Sequence, residues 1–167
     1  MTTLDEQLAR YAAYHRNGWN RFLHFLGVPL ITFSILIPMA WLRWRVGGFE
    51  LTGAAVFAIA VLAWYFMLDA TLAAVTALAI AVLLYLADRV AQLPLATGLW
   101  LFAASFVGGW IFQLVGHAIE GRRPALVDNL QQIFVAPIFL VAEACFAVGL
   151  KRDVQTRMAA RRRAAAD

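Results

Sequence analysis

Residues 51–87 read LTGAAVFAIAVLAWYFMLDATLAAVTALAIAVLLYLA, a stretch in which Asp69 is the single charged side chain. As one helix it would run about 55 Å at 1.5 Å per residue, well beyond a hydrocarbon core of about 30 Å. It must therefore fold back. Asp69 and Thr71 mark the place, because either can cap a second helix. The expectation is a hairpin of two membrane helices, Leu51 to Leu68 and Ala70 to Ala87.

Three further apolar runs flank this hairpin: Phe25 to Leu42, with Pro29 and Pro38 inside it, Gly98 to Gly116, and Ile133 to Leu150. Arg43, Arg45 and Gly47-Gly48 make one loop, and Asp88-Arg89 through Pro94 another, with Asp69 and Asp88 read as helix caps. Residues 5–22 are of mixed polarity and read as a short interfacial helix, interrupted by the turn chemistry of Asn17-Gly18. The expected fold is all-α, a polytopic membrane helix bundle with about five hydrophobic segments and an N-terminal interfacial helix. Its parts are residues 1–24, carrying the first candidate metal ligands, the bundle 25–150, and a basic tail 151–167, frayed or interfacial.

Composition supports this class. The 167 residues are 63% hydrophobic and 14% charged, where a soluble domain carries about 25% charged residues. Mean hydropathy is +0.73. Asp5, Glu6, Arg10, Arg16 and Arg21 leave no room for a signal peptide at the start, so the first apolar run is expected to stay. Cys145 has no partner, which excludes disulfides and cysteine-based zinc or iron–sulfur sites within one chain. Basic residues border the apolar runs, as orientation signals and lipid anchors do, so nucleic acid is not an expected partner. Arginine and alanine richness hints at a high-GC bacterial source and hence an inner membrane.

Five full crossings would put the N-terminus and the loop after His117 on one face. The tail would then lie opposite, and the positive-inside rule would place the histidines on the far face from the cytoplasm. A re-entrant segment would change that parity, and the proline-bearing first run is the candidate for it.

The chain has three histidines, His15, His24 and His117. Imidazole is the commonest protein ligand for transition metals, and ionisable groups at membrane depth mark functional sites. Nine residues separate His15 from His24, which places them on opposite faces of a continuous helix; a break at Asn17-Gly18 lets them converge. Beyond the break Asn20, His24 and Gly27 share a face. Gln113, His117 and Glu120 share another, ending in an amide, an imidazole and a carboxylate. Gly108-Gly109 and Gly116 permit close helix approach. Arg122 and Arg123 can hold a substrate carboxylate or a lipid phosphate. Glu143, deep in the fifth run, needs a partner and can brace a histidine or an arginine. The bland alternatives are interfacial histidines beside Trp19 and Phe22, and a Glu120 paired with the neighbouring arginines.

Two blocks carry a resemblance. One is Tyr14-His15-Arg16-Asn17 with Asn20, His24, Gly27 and Pro29. The other is Gln113, Gly116-His117, Glu120-Gly121, Pro124-Ala125-Leu126 and Asp128-Asn129-Leu130, followed by Pro137 and Glu143. In these, from about residue 8 to 151, the chain resembles the membrane-bound 2-hydroxy fatty acid dioxygenases of fungal phytosphingosine breakdown, once catalogued as a domain of unknown function. The resemblance implies a non-haem Fe(II) enzyme that uses O2, without 2-oxoglutarate, to shorten a 2-hydroxy fatty acid by one carbon. It implies His15, His24 and His117 as iron ligands, with Glu120 as a fourth ligand or a group orienting them. Asn20, Gln113, Arg122 and Arg123 become candidate substrate contacts, and Glu143 a brace behind the site. The implied partners are a 2-hydroxy fatty acid, O2 and membrane lipid; a homo-oligomer stays open.

Other classes remain. A small transporter or scaffold could use His117 and Glu143 as a proton relay and would need no metal. A zinc-dependent lipid hydrolase also suits three histidines and a water. A di-iron desaturase resembles the site less, since that class needs about eight clustered histidines.

Overall fold

A computed structural model describes residues 3–121 and 132–164. Among these residues, seven helices and one β-hairpin occur in the order α1 (Leu4–Ala13), α2 (Gly18–Ala40), β1 (Arg43–Val46), β2 (Phe49–Thr52), α3 (Gly53–Leu68), α4 (Ala70–Ala91), α5 (Leu95–Glu120), α6 (Gln132–Ala147) and α7 (Arg152–Ala164). The all-α bundle expected from hydropathy is present. Within it α2, α4 and α5 are each long and apolar enough to cross a membrane. At 16 residues, α3 and α6 are shorter, about 24 Å by helical rise.

Local chemistry sets most boundaries. Thr3 opens α1 with a capping box, its side chain accepting from the Glu6 N–H while Glu6 reaches back. Asn17 caps α2 by accepting from the Trp19 N–H at 2.8 Å, so α2 begins at Gly18 rather than Phe25 and carries His24 within it. Asp69 caps α4 as expected, accepting from the Leu72 N–H at 2.9 Å.

Two expectations are corrected. Asp88 is no cap: α4 continues to Ala91, and Asp88 instead takes Arg43 at 2.6 Å and the Gln92 amide at 2.7 Å. The first loop is an antiparallel hairpin in which Arg43 pairs with Thr52 and Val46 with Phe49. Gly47 and Gly48, both at positive φ, close it with a two-residue turn that other residues adopt only with strain.

Helices α2 and α5 run antiparallel in close contact. A Cβ on Gly27 would stand 2.9 Å from the Gly109 carbonyl oxygen, and one on Gly109 would stand 3.0 Å from the Gly27 carbonyl oxygen. Gly116 approaches Asn20 in the same way, whereas Gly108 meets nothing within 4 Å and is not part of the seam.

The course of the last apolar run differs most from expectation. Glu120, at the end of α5, bonds the Arg16 and Asn17 backbone, so α5 finishes at the bundle end where α2 starts. α6 starts within the bundle, the Phe134 carbonyl accepting from the Tyr65 hydroxyl. It then rises to the same end, where Lys151 pairs with Asp69 at 2.8 Å. Glu120 and Lys151 therefore lie at the same end of the bundle.

A Schellman-type stop at Gly149, with the Leu150 N–H bonding the Cys145 carbonyl at 2.8 Å, turns the chain 115° into α7. The tail is a docked helix. Arg157 pairs with Asp5 at 2.8 Å and Arg161 with Glu6 at 2.9 Å, while Val154 and Met158 join the apolar cluster of Leu4, Leu8 and Tyr11. The first and last described helices thus lie at the same end of the bundle, contrary to five full crossings.

Candidate metal centre

His15 sits in the short connection between α1 and α2, His24 two turns into α2, and His117 one turn from the end of α5. All three are buried, at 5% exposure or less. The break expected near Asn17 is there, and it turns His15 back toward His24. The three rings converge, with centroids 4.3 Å apart for His15 and His24, 5.1 Å for His15 and His117, and 4.9 Å for His24 and His117. One ligand atom from each lies within 4.8 Å of the others.

The protonation pattern follows from the backbone. His15 Nδ1 lies 2.6 Å from the Tyr11 carbonyl and His24 Nδ1 lies 2.8 Å from the Asn20 carbonyl. A carbonyl only accepts, so both Nδ1 atoms carry the proton and both Nε2 atoms present lone pairs. Those two Nε2 atoms face each other at 3.0 Å. Two lone pairs at that separation repel unless a cation or proton lies between them. Two nitrogens about 2.0–2.1 Å from one metal would be about this far apart. Donation of the second ring N–H to a backbone carbonyl is also how metal-binding histidines are commonly oriented. His117 Nδ1 is buried without a hydrogen-bond partner among the described residues, a costly state for a ring nitrogen that holds nothing. The donor set fits a transition metal. Burial in these apolar surroundings pushes His15 down to about 4, so its ring is neutral near pH 7 and able to ligate.

Tyr11 supports His15 twice, by its carbonyl and by a ring stacked 4.1 Å away at 7°. Sequence reasoning missed this residue, although the i, i+4 spacing from Tyr11 to His15 was a usable signal. Phe139, behind Tyr11, was missed as well.

Glu120 does not join the imidazole cluster. Its carboxylate accepts from the Arg16 N–H at 3.1 Å, the Asn17 N–H at 2.8 Å and the Asn20 amide at 3.0 Å, locking the α1–α2 turn onto α5. Asn20 is fully buried; its amide also donates to the Tyr14 carbonyl, and its Oδ1 has no partner among the described residues. Glu143 takes Arg21 at 2.8 Å, bracing an arginine rather than a histidine. Arg122 and Arg123 lie outside the described residues.

A cavity of about 370 Å³ opens beside the imidazoles, within the usual range for small-molecule sites. His15, His24, His117 and Gln113 border one end, and Leu36, Phe57, Ala58 and Ile80 border the other. Gln132, at the start of α6, also lines it; its Oε1 is buried with no partner among the described residues. The paired amides Gln131-Gln132 at the edge of an apolar run were the sequence signal for it, and they were passed over.

A family model described as 2-hydroxy-palmitic acid dioxygenase Mpo1-like matches residues 1–148. The chain is also 35% identical, over 150 residues, to the 2-hydroxy-palmitic acid dioxygenase MPO1 of Saccharomyces cerevisiae, covering 87% of this chain and 82% of the yeast protein. No solved structure matches. With a family match over nearly its whole length and helices long and apolar enough to cross a membrane, the chain belongs to the Mpo1-like family.

Proposed function

We propose that this protein is a membrane dioxygenase that uses Fe(II) and O2 to shorten 2-hydroxy fatty acids by one carbon. The observation that best supports it is the trio of buried imidazoles at the polar end of an apolar cavity. His15, His24 and His117 would hold the iron. Fe(II) in such a site supplies one-electron reactivity toward O2, which protein side chains lack.

The overall change balances without a second reductant. A 2-hydroxy acid and O2 give the acid one carbon shorter, CO2 and water. The four electrons that O2 takes up come from the carbinol carbon and the carboxylate carbon that leaves.

The remaining roles belong to the chain's own groups. The Tyr11 and Asn20 carbonyls keep His15 and His24 in the tautomer that can ligate. Glu120 acts through the α1–α2 turn as a positioning residue. Gln113, one turn before His117, offers its amide to the substrate's oxygens, and Asn20 is kept as a substrate contact on sequence grounds. Arg122 and Arg123 are kept, on sequence grounds, as partners for the carboxylate. Glu143 steadies Arg21 behind the site. Apolar walls exclude water from the reacting end and receive the acyl tail. An inner-membrane location rests on composition alone.

The test is to purify the protein in detergent, quantify bound metal in wild type and His117→Ala, and assay a 2-hydroxy fatty acid with and without O2. Near-stoichiometric iron that falls sharply in the variant, with a chain-shortened product only under O2, is expected. Zinc with O2-independent hydrolysis would replace this reading with a hydrolase. No metal after anaerobic Fe(II) loading would replace it with a transporter or scaffold.

A further inference from the structure

We propose that the apolar cavity is a ruler for the acyl chain, with Leu36, Ala58 and Ile80 forming the stop that sets the preferred length. This rests on the dioxygenase reading for the identity of the ligand. The cavity has a polar end at the imidazoles and an apolar floor. Leu36, Ala58 and Ile80 are each at least nine-tenths buried, and Leu36 shares an apolar cluster with Ile37, Ala40 and Ala54 at this end. Such a shape takes a molecule with one polar head and one unbranched apolar tail, and it limits how long that tail can be.

The dimensions can be read along α2. Twelve residues separate His24 at the polar end from Leu36 at the floor, which is about 18 Å at 1.5 Å per residue. A zigzag of carbon–carbon bonds of about 1.5 Å advances about 1.3 Å per carbon, so about fourteen carbons fit between the metal site and the floor. Beyond C2, a palmitic-length acid has a tail of about this length. The yeast relative is named for that acid. The wall near the start of α6 is the way in: Ile133 and Phe134 line the cavity and are also exposed on the outer surface. A lipid-borne acid can enter sideways there without passing its tail through water.

The experiment uses two variants that act in opposite directions. Ala58→Leu raises the floor by about 2.5 Å, roughly two methylene steps, and Leu36→Ala lowers it by a similar amount. Wild type and both variants compete 2-hydroxy acids of graded length under O2, read as relative kcat/KM. In parallel, saturated fatty acids of the same lengths displace a fluorescent fatty acid from metal-free protein. The expected result is an optimum roughly two carbons shorter in Ala58→Leu and roughly two longer in Leu36→Ala, in both assays. An unchanged displacement optimum in folded Ala58→Leu overturns the ruler even if Leu36→Ala does not fold. Length-dependent displacement that shifts as expected, with no turnover by any form, would sink the dioxygenase reading and leave the ruler standing.

Discussion

Glu120 Oε2 accepts the Asn17 N–H at 2.8 Å, joining the end of α5 to the N-cap of α2 across 103 residues of chain. The same carboxylate holds the Arg16 N–H and the Asn20 amide, so the turn that carries His15 is fastened to the helix that carries His117.

Glu120→Ala should therefore loosen the centre without removing a ligand. Metal affinity is expected to drop about 10-fold or more, the usual effect of losing a group that orients ligands. Glu120→Gln, which keeps an accepting oxygen, should fall between wild type and alanine. Competitive titration with a chromophoric chelator reads the ranking; a Glu120→Ala affinity equal to wild type would remove the positioning role.

Gly116 and Gly108 make a matched pair. A Cβ at Gly116 would meet Asn20 Oδ1 at 2.5 Å and His24 Nδ1 at 3.3 Å, while one at Gly108 meets nothing. Gly116→Ala should cost about 1–3 kcal/mol and weaken metal binding. Gly108→Ala should be neutral or gain up to about 1 kcal/mol from helix propensity. Thermal unfolding in detergent distinguishes them, and equal effects would argue against the close seam.

Asp69 serves as cap and as ion-pair partner, and the two roles separate by substitution. Asp69→Asn keeps a good cap but loses the Lys151 pair, an expected cost of up to about 1 kcal/mol. Asp69→Ala loses the cap as well, about another 1 kcal/mol. Burial alone would raise the Asp69 pKa, but Lys151 and the α4 N-terminal N–H groups outweigh it and hold the carboxyl below its usual value. A carboxylate depressed on folding stabilises above its unfolded pKa, and that stability is lost as pH falls through the folded value. The gap between wild type and Asp69→Asn should hold at neutral pH and close below about pH 4. A gap that widens on acidification would contradict the pairing.

Orientation is the fourth prediction. Among the described residues, Arg10, Arg16, Arg21, Lys151, Arg152, Arg157, Arg161, Arg162 and Arg163 lie at the histidine end, and Arg43, Arg45 and Arg89 at the other. The positive-inside rule then turns the histidine end toward the cytoplasm, the reverse of the orientation expected from five crossings. In a Cys145→Ala background, a membrane-impermeant thiol reagent outside right-side-out vesicles should label Arg45→Cys and spare Arg163→Cys. The opposite labelling would restore the earlier orientation.

What sequence revealed and what it hid follow from range. The fold-back at Asp69 was legible because length and hydropathy act locally, and the break near Asn17 because turn residues do. The helical face Gln113–His117–Glu120 was legible as a face. Its use was not: the donors that claim Glu120 come from a turn about a hundred residues away, and spacing within α5 carries no trace of them. That Glu120 and Lys151 share one end of the bundle was hidden for a similar reason. Hydropathy reports the medium that a segment prefers, not the end of the bundle at which it finishes. Gly108 and Gly109 read alike, and a rotation of 100° about the helix axis decided which one meets α2.

The packing of α7 against α1 also steadies the turn that carries the first histidine. Leu4 and Leu8, on the helix leading to His15, share their apolar cluster with Val154 and Met158, while Asp5 and Glu6 pair with Arg157 and Arg161. Undocking α7 would uncover that cluster and leave two carboxylates without their guanidiniums. A change in α7 thus reaches the imidazoles through α1 without touching any of them.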